Sequence, residues 1–220
     1  MQAAATSEAR GSAGATLETA VAAIGVCFFA LFAHSRSAPV LLSALGLVLT
    51  TAAFYHWTRT ERSPFAALAL RLASRRAMAV TAIGAALGVA LGVIYRQQYG
   101  WPLLPERVAW FALPAAAIGA MEELLYRGYV QGRARWLGPV GAVAFAAACH
   151  TAYKCCLFAV APLPVGVAWH ALILVSFFAG AGFGVLRELS GCVWPAVLAH
   201  AAFDIVVYGA HGQAPWWVWQ

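Results

Sequence analysis

The sequence predicts an all-α fold, a polytopic transmembrane helix bundle with about seven spans. Of the 220 residues, 63% are hydrophobic and only 10% are charged, whereas soluble domains average about 45–50% and about 25%. Mean hydropathy is +0.76. The apolar residues also form runs of roughly 17–22 residues, which at about 1.5 Å per residue match a hydrocarbon core about 30 Å thick. This composition excludes a cytosolic enzyme, a disordered chain and a basic nucleic-acid-binding domain of the usual kind.

The chain divides into two tails with apolar runs between them. Residues 1–16 are rich in Ala, Ser, Thr and Gly and are predicted to form a flexible tail. Residues 62–76 carry four arginines among apolar side chains, which predicts an interfacial helix. The tail 211–220 ends in WWVWQ, which fits an aromatic belt. The predicted spans, whose number is expected to hold to within one, are 17–34, 38–58, 77–95, 108–127, 140–161, 166–186 and 193–209.

Basic residues predict the orientation. With the N-terminus in the cytoplasm, ten of the 14 Lys and Arg residues fall on the inner side, as the positive-inside rule requires. The net charge of +6 therefore indicates topology and contact with a lipid bilayer rather than a nucleic-acid partner. We expect a multi-pass protein of a bacterial inner membrane.

Cysteines and glycines are interpreted structurally. The five cysteines, at 27, 149, 155, 156 and 192, show no CxxC pair and no zinc-ligand spacing, so no redox role is predicted. Gly84, Gly88 and Gly92 form a small-residue ridge on the third predicted span, as do Gly180 and Gly184 on the sixth. Such ridges usually indicate close helix packing.

Three acids stand inside predicted spans. Glu122, Glu123 and Asp204 lie where an ionised carboxylate costs at least ~2.5–3.5 kcal/mol. Glu123 and Arg127 are i and i+4 on a helix, so they are predicted to form an ion pair. Glu122 points about 100° away and needs a partner on another helix, which makes it the better candidate for catalysis.

Two histidines are the natural partners of these acids. His150 lies in the fifth predicted span, and His200 shares one face of the seventh with Asp204, four residues later. Counted from the predicted cytoplasmic ends, Glu122, His150, His200 and Asp204 all lie roughly 8–16 Å deep. The sequence therefore predicts that they converge on one layer.

These residues resemble the motifs of the CPBP family, the intramembrane glutamic proteases that include the CAAX prenyl endopeptidases and many bacterial Abi-type proteins. The matching segments are EELLYR (122–127), the segment around His150, and HAAFD (200–204) within 180–204. The resemblance covers about residues 105–210, the predicted catalytic core, whereas 17–104 shows only generic spans. The chain departs from the family at Ala146, where an aromatic residue usually precedes the histidine by four, and at Asp204, where the prenyl endopeptidases have Asn.

The predicted activity is hydrolysis of a peptide bond in a membrane-associated or lipidated substrate. Glu122 would be the general base, and His150 would help to hold the water. The resemblance implies that His200 and Asp204 form the oxyanion site. Asp204 can donate a hydrogen bond only if protonated; otherwise it would orient His200 or act through water. Glu123 and Arg127 would support the site, and whether Glu122 or Glu123 is the base stays open.

Two alternatives remain at this point. The two histidines with Glu122 or Asp204 could bind zinc and leave a position for water, although HExxH is missing and the resemblance implies no cofactor. A non-catalytic scaffold, immunity or transport protein could also keep intramembrane carboxylates. The substrate is open between a prenylated tail, a leader peptide and the tail of a sorted surface protein.

Overall fold

A computed structural model describes residues 2–33, 40–61, 63–72, 74–160, 167–213 and 215. Every regular element within these ranges is helical, so the predicted all-α fold is confirmed. The aromatic end at 216–220 lies outside the described residues. In chain order the elements are α1 (Gln2–Ala33), α2 (Val40–Thr60), α3 (Pro64–Ala67), α4 (Arg75–Gln98), α5 (Ala112–Glu123), a π-helix (Leu124–Val130), α6 (Gln131–Arg133), a 3₁₀ turn (Ala134–Leu137), α7 (Gly138–Ala159), α8 (Trp169–Ser190) and α9 (Trp194–Tyr208).

The helices are those of a multi-pass membrane protein. Five helical stretches in the described part of the chain are long and apolar enough to cross a bilayer. One of them, Ala112–Ala159, covers most of both the fourth and the fifth predicted spans. Gly138 interrupts that stretch with φ 76, a left-handed conformation that glycine adopts without steric cost. The seventh predicted span corresponds to α9, which is shorter, with 15 residues.

Two predicted segments differ from the structure. α1 begins at Gln2, so the first helix is longer than the predicted span and includes residues 2–16, whose flexibility stays a prediction. Alanine, the residue with the highest helix propensity, dominates that stretch, which explains the difference. The helix predicted over 62–76 is confined to α3, because Ala69 then adopts a left-handed φ of 55°. The carbonyls of Ala69 and Leu70 instead accept hydrogen bonds from the Val193 N–H (2.9 Å) and Trp194 Nε1 (2.7 Å) at the start of α9.

The described residues form two compact units that interleave along the chain. Unit 1 comprises residues 1–64 and 130–180, and unit 2 comprises 65–129 and 181–218. Helices that are distant in sequence thus pack together within each unit. The predicted bounds of an N-terminal region at 17–104 and a core at 105–210 stay predictions.

Unit 1 is built on the packing of α1 against α2 and α7. A Cβ at Gly46 would lie 2.6 Å from the Gly25 carbonyl oxygen, so the backbones of α1 and α2 are in direct contact. Arg133 binds the buried carboxylate of Glu18 through two nitrogens, at 3.0 and 3.2 Å. His56 Nδ1 also lies 2.9 Å from this carboxylate. The ion pairs therefore join α1, α2 and α6 within this unit.

Unit 2 packs α9 against both α4 and α5. A Cβ at Gly88 would overlap the Ala199 carbonyl, and one at Gly84 would overlap that of Pro195. The predicted glycine ridge on the third span is thus confirmed as the surface that receives α9. Because it admits no side chain, the ridge fixes how closely the helix that carries His200 approaches α4.

Arg96 secures the other end of α9. Its side chain is buried, and Nη1 donates to the carbonyls of Val206 (3.2 Å) and Val207 (3.5 Å) in the last turn of α9. Nε donates to the Pro102 carbonyl at 2.5 Å. The last carbonyls of a helix have no partner within the helix and carry partial negative charge, so a cation stabilises them.

Candidate active site

Unit 2 brings together five of the six residues that the sequence motifs predict as site residues. α5 ends at Glu123 and passes directly into the π-helix, which contains Arg127. π-helical turns are rare and frequently occur at functional sites. From the other side, α9 presents His200 and Asp204 on one face. All five side chains are buried, and those of Glu123 and Arg127 are fully so.

Glu123 links Arg127 to His200 through one carboxylate oxygen. Arg127 Nη1 donates to Glu123 Oε1 at 3.0 Å, and His200 Nδ1 lies 2.8 Å from the same oxygen. The predicted ion pair of Glu123 and Arg127 is therefore confirmed, but it is not isolated. Because Arg127 stabilises the carboxylate form of Glu123, we assign the proton to His200 Nδ1, which donates to Glu123.

This bond directs the opposite nitrogen of His200 at two further acids. Nε2 lies 3.8 Å from Glu122 Oε2 and 3.8 Å from Asp204 Oδ2. These separations exceed a direct hydrogen bond. One of the roles predicted for Asp204 is to orient His200, and in the structure the direct hydrogen bond to that ring comes from Glu123. The geometry leaves Nε2, Glu122 and Asp204 facing one another.

Two residues that the sequence motifs do not point to complete this arrangement. A Cβ at Gly119 would lie 2.5 Å from Asp204 Oδ2 and 3.0 Å from His200 Cδ2, so the backbone of α5 lies against both. The spacing of three and four residues before the two glutamates is a signal that could have identified Gly119. The Phe183 ring centroid lies 5.8 Å from Arg127 Cζ and 5.8 Å from the His200 ring centroid. Nothing in the sequence distinguishes Phe183 from the other phenylalanines of α8.

His150 belongs to unit 1. It lies on α7 with a buried side chain, and its ring stacks on that of Tyr153, with centroids 6.3 Å apart and planes 17° apart. The convergence of the predicted site thus holds within unit 2 for Glu122, His200 and Asp204, while the placement of His150 with them stays a prediction.

The geometry of the acids and histidines also bears on a metal site. Among the described residues, no group of three or more His, Cys, Asp or Glu side chains has an arrangement that could hold a metal ion. Zinc dependence stays an alternative, and a chelator experiment tests it.

One family comparison covers this site. Residues 102–206 match the family model described as Type II CAAX prenyl endopeptidase Rce1-like. Over this segment, slightly less than half of the chain, the protein is similar to that family. The Rce1-like segment contains all six predicted site residues, namely Glu122, Glu123, Arg127, His150, His200 and Asp204. The match confirms the resemblance drawn from their motifs. No curated protein and no solved structure matches the chain.

Proposed function

We propose that the chain is an intramembrane endopeptidase that hydrolyses a peptide bond of a membrane-associated substrate, with Glu122 as general base. The observation that carries this proposal is the buried arrangement in which Glu123 orients His200 towards Glu122 and Asp204. Its location inside the Rce1-like segment supports a protease of the CAAX type. A protein that served only as a scaffold would not need a histidine whose Nδ1 is bound to Glu123 and whose Nε2 faces two further acids.

Glu122 is the acid best suited to activate water. Arg127 and His200 both donate hydrogen bonds to Oε1 of Glu123. These bonds give Glu123 a structural role. Glu122 instead faces His200 Nε2 from 3.8 Å. In the proposed reaction it takes a proton from water while the oxygen of that water attacks the carbonyl carbon. When the C–N bond breaks, the same proton passes to the leaving nitrogen. We propose that His150 helps to hold the water, as the family motif implies.

His200 is proposed to stabilise the oxyanion. Since Nδ1 donates to Glu123, Nε2 carries a proton only when the ring is an imidazolium. That proton can be donated to the oxygen that becomes negative in the tetrahedral intermediate. Fixed donors of this kind typically contribute about 10²–10³ in rate. Glu123 and Arg127 act here through His200 and are positioning residues.

Asp204 is proposed to contribute in its protonated form or through water. A carboxyl group donates a hydrogen bond only when protonated, and an ionised one would repel the oxyanion. Its Oδ2 faces Nε2 of His200 from the same helix, so it is placed to share the oxyanion with that nitrogen.

We further propose a cytoplasmic N-terminus in a bacterial cell membrane, on the basis of the distribution of arginines. We also propose that the protein has no resident cofactor.

A comparison of cells that express the wild-type chain or Glu122→Gln tests the function. We expect a set of membrane-associated proteins to keep their tails only in the Glu122→Gln cells. Synthetic peptides with those tails should then be cut by the purified protein in vesicles. In H₂¹⁸O, each new carboxylate should gain one ¹⁸O atom, because hydrolysis places the water oxygen there.

The matched control is Glu106→Gln, which changes an exposed acid of the same segment and should cleave at the wild-type rate. Cleavage by Glu122→Gln at the wild-type rate would show that Glu122 is not the base. Identical tails in both cell types, with no peptide cut by the purified protein, would favour the scaffold or transport alternative.

A further inference from the structure

Phe183 of α8 contacts two residues of the candidate site, and the proposed hydrolysis gives it no role. Arg127 Cζ lies over the Phe183 ring, 5.8 Å from its centroid. The centroid of the His200 ring is also 5.8 Å away, with the two planes tilted by 39°. Glu123 Oε1 joins the same two residues, at 3.0 Å from Arg127 Nη1 and 2.8 Å from His200 Nδ1. Within unit 2, these four side chains therefore form a closed cycle of contacts.

The position of the Phe183 ring is fixed by the packing of unit 2. Phe183 is buried and belongs to one apolar cluster with Leu186 of α8 and with Ala196 and Ala199 of α9. Two apolar side chains of α4 pack against this cluster. Because alanine is small, an aromatic ring can approach the backbone of α9 directly before His200.

The two site residues that contact Phe183 require the same kind of stabilisation. Arg127 is always a cation, and the proposed role of His200 requires its ring to be an imidazolium. Both donate to a single oxygen of Glu123, which supplies only one negative charge. The face of an aromatic ring carries partial negative charge and attracts cations within about 6 Å of its centroid. This attraction is strongest where water is excluded, as it is around the buried ring of Phe183.

We propose that Phe183 is a positioning residue for the hydrolysis. Its ring stabilises the Arg127 guanidinium and the His200 imidazolium together, and so keeps Nε2 of His200 in the orientation that donates to the oxyanion. A ring has no net charge and therefore does not repel the oxyanion, whereas a further carboxylate would. This role rests on the proposed function. Because Phe183 acts through His200, we expect its ring to affect kcat and not KM.

The test replaces Phe183 by mono-, di- and trifluorophenylalanine in the full chain in lipid vesicles. Fluorine withdraws electron density from the ring, so its face becomes less negative at each step while its size changes little. For a tail peptide identified as above, kcat should fall at each step, by roughly tenfold in total, with KM little changed. The melting temperature should fall in the same order, because Arg127 is charged in every state of the protein.

Two controls separate the charge of the ring face from its packing. Phe178 lies on the same helix and is 66% exposed, so the same three substitutions there should change neither kcat nor the melting temperature. Para-methylphenylalanine at position 183 tests size. Its methyl group is bulkier than fluorine but leaves the ring face negative, so this variant should cleave faster than the trifluoro variant.

Two results would overturn this role and leave the protease function intact. The first is a wild-type chain that cleaves the peptide while kcat or the melting temperature stays constant across the fluorinated series at Phe183. The second is a para-methyl variant as slow as the trifluoro variant, which would assign Phe183 to packing alone. A wild-type chain that cleaves no peptide would instead refute the proposed function, and this role with it. The monofluoro variant changes a single substituent, so it decides the first result even if the trifluoro variant fails to fold.

Discussion

Replacing Glu123 by Gln tests whether this acid positions His200. The substitution keeps the size of the side chain and removes its negative charge. In the structure, a single fully buried oxygen of Glu123 lies 3.0 Å from Arg127 Nη1 and 2.8 Å from His200 Nδ1. A glutamine oxygen can still accept hydrogen bonds, but it no longer neutralises the buried guanidinium.

The magnitude follows from these distances and from the burial. At 3.0 Å and an effective dielectric constant of ~20, the attraction between the two charges is about 5.5 kcal/mol. Experiments that remove one partner of a buried pair find a loss of about 3–5 kcal/mol. We expect the lower end for Glu123→Gln, because the amide keeps part of the hydrogen bonding. The weakened charge-assisted bond to His200, worth about 1.5–3 kcal/mol, should lower kcat by roughly ten- to one-hundredfold.

The assay measures both quantities on purified protein. Thermal stability is followed by size-exclusion chromatography after heating, and kcat is measured with a tail peptide identified as above. Glu122→Gln is the matched control, since it makes the same change at the neighbouring position. It should lose all cleavage and less stability than Glu123→Gln, because the Glu123 carboxylate pairs with a guanidinium at 3.0 Å, whereas the Glu122 carboxylate lies 3.8 Å from His200 Nε2. Wild-type stability in Glu123→Gln, or a larger loss in Glu122→Gln, would refute this reasoning.

Other substitutions test the packing and the chemistry. Gly119→Ala should lower kcat at least tenfold with KM little changed, since the added Cβ meets Asp204; full activity would mean that α5 yields there. Gly88→Ala should destabilise the protein by about 1–3 kcal/mol through overlap with the Ala199 carbonyl. Gly182→Ala is the control, because a Cβ at Gly182 would have no atom within 4 Å, and it should be neutral or stabilising by up to ~1 kcal/mol. Equal melting temperatures for Gly88→Ala and Gly182→Ala would contradict the close approach of α4 and α9. Cleavage rates should persist in a strong chelator, and a complete loss that added zinc restores would establish a metal mechanism. His150→Ala should fold and fail to cleave, and an active variant would remove His150 from the mechanism.

Much of the fold could be predicted because lipid imposes a simple rule on composition. Long apolar runs predict the helices, and the ridge that includes Gly88 predicts a face on which another helix packs. The choice of partner for each acid could not be predicted in the same way. Spacing alone places Glu123 beside Arg127, yet one oxygen accepts two hydrogen bonds, and the second donor, His200, lies 77 residues away. Local spacing carries no information about such a contact.

The buried arginine of α4 shows a second limit of sequence reasoning. Arg96 directly follows the third predicted span, 77–95, so the predicted topology places it among the four basic residues that do not fall on the inner side. In the structure its nitrogens bind carbonyls of α9 that lie 110 and 111 residues away in sequence. The sequence shows the charge of Arg96. It does not show which carbonyl oxygens this side chain binds, because every residue has a carbonyl group. The π-helix after α5 is equally hidden, since its residues have ordinary helical propensities.

The length of α9 has a consequence for the surrounding lipid. Its 15 residues rise only about 22 Å, some 8 Å less than an average hydrocarbon layer. A bilayer adapts to a short hydrophobic element by thinning next to it. In the proposed function, such thinning would bring headgroups and their hydration water nearer to His200 and would shorten the path of the water that is consumed in hydrolysis.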